Sequence, residues 1–171
     1  MNTLDVDIQQ LIDSITGDLS TLLQARHRTD VTMIGIHTGG VWVAQHLHRR
    51  LGIDGPLGTL DISFYRDDFT RAGFNPQVKP STLPTPIDDR HIVLVDDVLY
   101  TGRTIRAALN EIFDYGRPAS VLLVTLVERS GRELPIQPDV FGMHLELAPG
   151  RQVKLQGPDP LRLLVSETAT P

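Results

Sequence analysis

Three stretches of this chain are apolar at nearly every position. They read VTMIGI, HIVLV and ASVLLVTLV and occupy residues 31–36, 91–95 and 119–127. Because side chains alternate between the two faces of a strand, a strand that is apolar throughout has to be covered on both faces. Strands of this kind are typical of parallel sheets with helices packed on either side. The runs therefore predict the inner strands of such a sheet.

Amphipathic helices are predicted before and between these strands. Apolar residues recur at steps of three and four over residues 5–26, and helical patterns also cover residues 41–51 and 102–115. The last of these helices is expected to end at Gly116. Further strands are predicted over residues 58–65, 139–145, 151–156 and 161–165. Strands that alternate with helices in this order predict an α/β fold with a largely parallel sheet.

Size and composition favour one globular domain. The chain has 171 residues, and we expect residues 1–171 to form a single domain. Hydrophobic residues make up 40% and charged residues 22%, with no apolar run near the roughly 20 residues of a membrane helix. The acidic N-terminus lacks the pattern of a secretory signal, so a cytoplasmic location is expected. A net charge of -5 argues against a chain built mainly to neutralise nucleic-acid phosphates, and the absence of cysteine excludes disulfides.

The stretch IVLVDDVLYTGRT, residues 92–104, carries the clearest chemistry. Asp96 and Asp97 follow an apolar strand, and a helix is predicted directly after Thr101. The free N–H groups and the dipole of the first helical turn form an anion site, and the hydroxyls of Thr101 and Thr104 add donors. The two carboxylates can accept hydrogen bonds from adjacent ribose hydroxyls. The combination predicts a site for ribose 5-phosphate. The alternative is that the aspartates cap a turn, the threonines cap the helix and no ligand binds.

Three loops are predicted to meet at one edge of the sheet. They cover residues 37–40, 96–104 and 128–135, and each follows one of the apolar strands. Ligands of parallel α/β sheets bind in the crevice beyond the carboxyl ends of the strands. A long polar stretch with several prolines follows residue 65, and a loop of that length in a compact domain is usually functional or mobile. We therefore expect one ligand site at this edge, beside a flexible loop over about residues 66–86.

Several of these stretches resemble a known family. IVLVDDVLYTGRT resembles the 5-phosphoribosyl-1-diphosphate (PRPP) signature of the type I phosphoribosyltransferases. IGIHTGGVWVAQHL, LDISFYRDD and YGRPASVLLVTLVERSGRELPI are similar to the members that regulate pyrimidine operons and also have uracil phosphoribosyltransferase activity. The resemblance extends over about residues 31–142. It implies the type I phosphoribosyltransferase fold, an α/β fold in which helices flank a mostly parallel twisted sheet, with a flexible loop and a small hood.

The resemblance also implies roles for residues of these loops. Asp96 and Asp97 are expected to hold the ribose hydroxyls and Arg66 to reach the diphosphate, which makes these the expected catalytic residues. Mg²⁺ is expected as the cofactor on oxygens of PRPP, with no protein side chain as a direct ligand. The residues expected to bind PRPP are Thr38, Gly39, Gly40, Asp96, Asp97, Val98, Leu99, Tyr100, Thr101, Gly102, Arg103 and Thr104.

Gly39 departs from the pattern of the family. Many relatives read Thr-Arg-Gly where this chain reads Thr38-Gly39-Gly40, so an arginine that binds diphosphate in those relatives is absent. Arg66 and Arg103 are candidates to compensate for it. We expect turnover to be reduced unless a basic residue takes over this role.

Tyr100 and the loop after the strand at 119–127 are expected to select the base. Purine phosphoribosyltransferases tend to carry an aspartate at the place of Tyr100, so the tyrosine argues against purines and is compatible with uracil. Orotate, with its added carboxylate, would call for a dedicated cation that the sequence does not identify. The residues expected to contact the base are Tyr100, Val127, Glu128 and Arg129.

The resemblance implies a pentosyl transferase that converts uracil and PRPP to UMP and diphosphate. Relatives that bind pyrimidine-operon mRNA use basic residues of the first helix and of the loops after the fourth strand. Here residues 5–23 contain no lysine or arginine, and Gly131 and Met143 stand where such relatives tend to be basic. The alternative is an RNA-binding regulator that senses UMP or UTP in this site, with weak or no catalysis. A homodimer or a larger homo-oligomer is expected from the resemblance.

Overall fold

The computed structural model of this chain describes residues 1–63, 81–84 and 86–168. Within these residues the helices are α1 (Ile8–Ala25), α2 (Gly39–Leu51) and α3 (Arg103–Tyr115). The strands are β1 (Asn2–Thr3), β2 (Val31–Ile36), β3 (Gly58–Leu60), β4 (His91–Leu99), β5 (Ser120–Arg129), β6 (Val140–Leu145), β7 (Arg151–Gln156) and β8 (Arg162–Glu167). None of the described helices is long and apolar enough to cross a membrane.

A parallel sheet of five strands forms the centre of the fold, in the order β3-β2-β4-β5-β6. β4 is the middle strand, and its His91 lies opposite both Val31 of β2 and Ser120 of β5. Helix α2 connects β2 to β3 and helix α3 connects β4 to β5, as crossovers between parallel strands require. The sheet confirms the predicted α/β fold, and the strand that carries Asp96 and Asp97 lies at its centre.

Helices cover both faces of this sheet. On one face, α1 and α2 pack against β4 and β5 through fully buried residues such as Ile12, Leu47 and Val95. On the other face, α3 packs against the same strands through Ile105 and Ile112. Two hydrophobic clusters result, one on each side of the sheet. The apolar strands are therefore covered on both faces, as their composition predicts.

A second, antiparallel sheet has three strands in the order β1-β8-β7. Val165 of β8 lies opposite Asn2 of β1 and Val153 of β7. Its buried residues Val153 and Leu163 join the hydrophobic cluster formed by α1 and α2. This sheet is the small hood that the resemblance implies. Its strand β1 was not predicted, because a pair of residues carries no periodic pattern and forms a strand only through pairing with a distant part of the chain.

The structure corrects the predicted end of β4. The apolar run stops at Val95, but β4 continues to Leu99 because β5 runs beside it as far as Arg129. Asp96 pairs with Thr125 in this ladder. The aspartates therefore lie within the strand and not in a turn after it. Backbone pairing with the neighbouring strand, and not apolar content, determines where β4 ends.

β3 ends earlier than predicted. The expected strand covers residues 58–65, whereas β3 ends at Leu60. Oδ1 of Asp61 accepts hydrogen bonds from the backbone N–H of Ser63 at 2.9 Å and from its hydroxyl at 2.6 Å. The N–H of Asp61 donates to Oγ of Ser81 at 2.9 Å. Such local bonds from short polar side chains compete with a regular ladder, and the strand ends where they begin.

The predicted flexible loop, about residues 66–86, lies mostly outside the described residues. Ser81 and Thr82, near the C-terminal end of the predicted range, are bound to the body of the fold. Thr59 and Thr82 exchange a pair of backbone hydrogen bonds of 2.8 Å each. The hydroxyl of Ser81 donates to Oε1 of Glu111 on α3 at 2.8 Å. This end of the range is therefore held to β3 and α3.

Gly17 lies in the middle of α1, where a side chain has room. A Cβ atom at this position would meet no atom within 4 Å. Replacing Gly17 with alanine is expected to raise the free energy of unfolding by about 0.5–1 kcal/mol, because alanine loses less backbone entropy than glycine in a helix. Thermal denaturation should then show a Tm higher by about 1–4 °C.

Gly52→Ala is the matched control for this prediction. Gly52 caps the C-terminus of α2 with a φ of 59°, and a Cβ there would also meet no atom within 4 Å. The left-handed conformation costs a residue with a Cβ about 1–2 kcal/mol, so this variant should melt at a lower temperature. Shifts of equal sign in the two variants would contradict the explanation from backbone conformation.

Candidate active site

Buried polar groups are concentrated at the carboxyl ends of β4 and β5. In the described part of the chain, the buried polar or charged residues are Asp96, Thr125 and Arg129, with exposed fractions of 3%, 0% and 8%. Burying such groups is unfavourable unless other interactions compensate for the lost contact with water. They lie at the edge of the sheet where ligands of parallel α/β folds bind. This edge is therefore the candidate active site.

Asp96 and Asp97 differ in their exposure. Asp96 is buried, and its Oδ1 accepts the backbone N–H of Asp97 at 3.0 Å. Asp97 is half-buried. One carboxylate is thus held against the backbone inside the fold, and the other borders the surface of the site.

The loop at 37–40 packs directly against these aspartates. Helix α2 begins at Gly39, two residues earlier than predicted, and its N-cap residue Thr38 makes no side-chain capping bond. A Cβ at Gly40 would lie 2.6 Å from the carbonyl oxygen of Val95, which shows how closely the backbones approach. The peptide bond between His37 and Thr38 is cis. The first turn of α2 therefore points uncapped N–H groups at the edge where Asp96 and Asp97 lie.

Gly39, which stands where many relatives carry an arginine, packs closely against the side chain of Asp97. A Cβ at Gly39 would lie 2.3 Å from Oδ2 and 2.5 Å from Cγ of Asp97. Any side chain at position 39 would therefore have to displace this carboxylate. Of the residues expected to compensate, Arg66 lies outside the described residues, and Arg103 forms an ion pair of 2.9 Å with Glu133. The expected effect of Gly39 on turnover stays a prediction.

Helix α3 begins beside the same edge. Its N-cap residue Gly102 has a φ of 94° and no side-chain cap, and the helix starts at Arg103. The hydroxyl oxygen of Thr101 accepts the N–H of Arg103 at 3.2 Å. Thr104 is half-buried in the first turn. This turn also has N–H groups without partners in the helix, which is the geometry of an anion site.

The side chains of some residues predicted to contact a ligand are buried in the fold. Leu99 and Val127 are 1% and 0% exposed, and their side chains belong to the hydrophobic clusters on the two faces. Val98 is partly buried and lies opposite Val127 in the ladder. The side chains of Leu99 and Val127 are therefore core residues. Contacts of these residues with PRPP or the base would use their backbone groups, and their predicted roles in binding stay predictions.

The loop that follows β5 closes over the start of α3. The N–H groups of Glu133 and Leu134 donate to the carbonyl oxygen of Thr101 at 3.0 Å and 3.1 Å. Nε of Arg103 donates to Oε2 of Glu133 at 2.9 Å. The structure thus brings together the loops at 37–40, 96–104 and 128–135, as the sequence predicts.

Tyr100 is surrounded by residues of this loop. The guanidinium of Arg129 lies 3.9 Å from the centre of its ring, a cation–π contact. A Cβ at Gly131, whose φ is 117°, would lie 2.5 Å from Cε2 of the ring. The tyrosine remains 42% exposed. Its ring is therefore fixed on one side by the protein and open on another.

Glu128 has a different environment from the one expected of a residue that contacts the base. Its carboxylate oxygens are bound by Nη2 of Arg132 and by Nδ1 of His144. Arg132 also donates from Nη1 to the carbonyl oxygen of Tyr100. His144 lies directly opposite Glu128 in β6. The acid is therefore one part of a network that reaches Tyr100.

The sequence analysis does not identify His144, and it includes Arg132 only as a member of the loop at 128–135, without its contacts. The spacing of four residues between Glu128 and Arg132 is visible in the sequence, but it becomes informative only when the loop conformation is known. The contact of His144 depends on the register between β5 and β6, which no local pattern indicates.

His46 lies outside this site. It lines a separate cleft of about 610 Å³ with Asp7, Arg49 and Asp159. Burial lowers the pKa of His46, Arg50 and Arg49 lower it further, and Asp159 opposes the change. Across the described ranges, no group of three or more His, Asp and Glu side chains is placed to hold a metal ion.

Comparison with known proteins identifies the family. Residues 6–158 match the family described as the phosphoribosyl transferase domain. The chain belongs to the phosphoribosyltransferase family. Bifunctional protein PyrR from Nitrosococcus oceani is 60% identical over 164 residues, which are 95% of this chain and 93% of that relative. Bifunctional protein PyrR from Pseudomonas paraeruginosa is 59% identical over 154 residues, 90% of this chain and 91% of that relative. The predicted resemblance is confirmed, and within the phosphoribosyltransferases the chain groups with the PyrR proteins.

Solved structures of phosphoribosyltransferases share the fold. A hypoxanthine-guanine phosphoribosyltransferase from Bacillus anthracis has a TM-score of 0.67 at 18% identity, and the match covers 85% of this chain and 84% of that chain. A purine phosphoribosyltransferase from Pyrococcus horikoshii has a TM-score of 0.59 at 25% identity, covering 79% and 83%. These likenesses confirm the type I phosphoribosyltransferase fold.

Proposed function

We propose that this chain transfers the 5-phosphoribosyl group of PRPP to uracil, which gives UMP and diphosphate. The observation that carries the proposal is the arrangement at the end of β4. Two helices, α2 and α3, begin at the edge of the sheet where Asp96 and Asp97 lie, and the N-cap residue of neither forms a side-chain capping bond. One molecule with a phosphate at one end, a diphosphate at the other and a ribose between them is complementary to this arrangement.

Each part of PRPP has a proposed partner. The N–H groups at the start of α3, with Thr101 and Thr104, bind the 5-phosphate. The N–H groups at the start of α2, at Gly39 and Gly40, bind the diphosphate. Asp97 and the more deeply buried Asp96 accept hydrogen bonds from the ribose hydroxyls.

The carboxylates also contribute to the chemical step. The bond between C1 of the ribose and the diphosphate oxygen breaks, the bond from C1 to N1 of uracil forms, and the proton on N1 is released. Positive charge develops on the ribose as the diphosphate leaves. The negative charges of Asp96 and Asp97, which are preorganised in a partly buried site, stabilise it. The ring of Tyr100, held in place by Arg129, is proposed to orient the base so that N1 faces C1 of the ribose.

Mg²⁺ is proposed to bind as part of the PRPP complex. The described residues offer Asp96 and Asp97 near the proposed ribose but no cluster of three acidic or imidazole side chains. This donor set fits an ion that takes its ligands mainly from the oxygens of PRPP. When bound, the ion supplies positive charge that offsets the charge of the leaving diphosphate.

Uracil is favoured over a purine by two observations. The relatives at 59–60% identity are PyrR proteins, and the resemblance implies uracil phosphoribosyltransferase activity for that group. Tyr100 stands where purine enzymes tend to carry an aspartate, and 42% of its surface is exposed. The two purine enzymes compared above are 25% and 18% identical to this chain, and they are used here for the fold alone.

A role in regulating pyrimidine biosynthesis genes is the second proposed function, because the relatives are named bifunctional. The surface of α1 is not built for RNA phosphates. Asp13 pairs with Nε of Arg50 at 3.1 Å, and the same arginine donates to Gln9 at 2.8 Å. We therefore expect any RNA contact to use other basic residues, in a homodimer or larger assembly.

The enzyme proposal is tested with a panel of bases. Purified protein with PRPP and Mg²⁺ should form UMP from uracil and no nucleotide from hypoxanthine, guanine or orotate. Nucleotide from a purine, without UMP, would move the assignment to another base. A gel shift with a pyrimidine-operon leader RNA, repeated at rising salt, tests the regulatory proposal. No shift at low salt, with or without UMP, would rule that proposal out.

A further inference from the structure

Arg132 connects the carbonyl group of Tyr100 to the side chain of Glu128. Its Nη1 donates to the carbonyl oxygen of Tyr100, and its Nη2 donates to Oε1 of Glu128. The side chains of Arg132 and Glu128 are 20% and 18% exposed. At this burial the bonds are only partly screened by water, so they constrain the backbone more strongly than a surface ion pair would.

Glu128 is held in turn from the neighbouring strand. Its Oε2 is bound by Nδ1 of His144, the residue opposite it in β6. The Nε2 of the same histidine lies 3.9 Å from Oε1 of Glu146. A continuous chain of polar contacts therefore runs from the end of β4 through the loop and β5 to β6. Both oxygens of Glu128 accept a hydrogen bond within it, so the carboxylate is held by the protein from two sides.

We propose that Arg132 is a positioning residue for the base, which acts by fixing Tyr100, and that Glu128 holds Arg132 in place. This inference rests on the proposed function and names residues that set its base affinity. Arg129 and Gly131 contact the ring of Tyr100, whereas Arg132 holds its backbone. The last residue of β5 and the loop that follows it thus fix both parts of the tyrosine.

The chemistry of the contact requires an arginine. One planar guanidinium donates in two directions at once, to a carbonyl oxygen and to a carboxylate oxygen. A lysine ammonium is a point charge on a flexible stem and does not hold two acceptors at a fixed separation. Arg132→Lys is therefore expected to retain part of the effect, and Arg132→Met is expected to lose it.

The phosphate end of the site is held independently of this arginine. The carbonyl oxygen of Thr101 accepts the N–H groups of Glu133 and Leu134, and Arg103 pairs with Glu133. Removing the side chain of Arg132 leaves these contacts intact. The structure therefore separates the two substrates: Arg132 affects the binding of the base, and the binding of PRPP depends on other contacts.

The test measures both substrates in Arg132→Met, Arg132→Lys and Glu128→Gln. The KM for uracil should rise about tenfold in Arg132→Met, the size expected when a partly buried polar contact is lost. The KM for PRPP should change by less than about twofold, because Thr101 keeps its partners. Arg132→Lys should lie between Arg132→Met and the unmodified chain. Arg90→Met is the matched control, since it removes an ion pair of 2.9 Å with Asp30 that lies near the other end of β4.

A binding measurement makes the result independent of turnover. Calorimetric titrations with UMP and with ribose 5-phosphate should show that Arg132→Met weakens UMP about tenfold and leaves ribose 5-phosphate unchanged. Equal weakening of both ligands, or an unchanged KM for uracil, would overturn the inference. Failure of the unmodified chain to form UMP would overturn the proposed function instead. If Arg132→Met does not fold, Glu128→Gln and Arg132→Lys provide the same comparison.

A double-mutant cycle tests whether Glu128 acts through Arg132. If it does, adding Glu128→Gln to Arg132→Met should change the KM for uracil little beyond the effect of Arg132→Met alone. Multiplying effects would mean that Glu128 contributes separately, for example by touching the base, and would overturn that part of the inference.

Discussion

Replacing Asp97 with asparagine is expected to lower kcat/KM for UMP formation by about 10²–10³-fold. Asparagine preserves the shape of the side chain and one acceptor oxygen, but it removes the negative charge beside the ribose. Because Asp97 is half-buried, that charge is only partly screened by solvent. Steady-state kinetics with uracil and PRPP measure the loss, and thermal denaturation should show a Tm close to that of the unmodified chain.

Asp30→Asn is the control for this substitution. Asp30 is 82% exposed and pairs with Arg90 near the start of β4, away from the candidate site. The same chemical change there should leave the kinetics unaltered, since exposed ion pairs contribute little. Unchanged PRPP turnover in Asp97→Asn would refute the assignment of this residue to the ribose.

Replacing Gly40 with alanine is expected to reduce activity by about 100-fold and to lower the free energy of unfolding by about 1–3 kcal/mol. Its Cβ would lie 2.6 Å from the carbonyl oxygen of Val95 and 3.0 Å from Cα of Asp96. These are backbone atoms that no side-chain rotation can move. Either the start of α2 or the end of β4 must therefore shift. Kinetics and urea denaturation measure the two effects.

Gly39→Ala separates the loss of function from the loss of stability. The two nearest atoms to its Cβ are Oδ2 and Cγ of Asp97, at 2.3 and 2.5 Å, and both can rotate away. Cβ of Asp97, at 2.9 Å, is fixed by the backbone and requires a small local shift. This variant should therefore lose less stability than Gly40→Ala and show a higher KM for PRPP, because the carboxylate of Asp97 leaves its position. A large loss of stability in Gly39→Ala, or none in Gly40→Ala, would show that the contacts of this loop are wrongly assigned.

The inner part of the fold follows from the sequence because burial determines it. A run such as VTMIGI has few ways to hide both faces, and β2 has the predicted bounds Val31–Ile36. The site loops are placed by the same logic, since parallel strands have their carboxyl ends at one edge. The residues of IVLVDDVLYTGRT predict a site for ribose 5-phosphate, and the resemblance adds PRPP as the ligand. This chemistry agrees with the phosphoribosyltransferase family that the comparisons identify.

What the sequence does not predict depends on contacts between distant segments. The extension of β4 to Leu99 is a consequence of the length of β5. The strand β1 exists through its pairing with β8. The network around Glu128 needs the register of β6, which brings His144 opposite it. In each case the deciding interaction joins residues that no periodic pattern relates, so local analysis cannot detect it.

The backbone bridge between Thr59 and Thr82 has a consequence for the number of residues that the chain can carry between them. It closes the intervening segment at its base, and Ser81 adds a bond to Glu111 of α3. Once the base is closed, the entropy of a loop grows only with the logarithm of its length, about 0.6 kcal/mol for each doubling. Residues added between Ser63 and Ser81 are therefore expected to cost the parallel sheet little free energy.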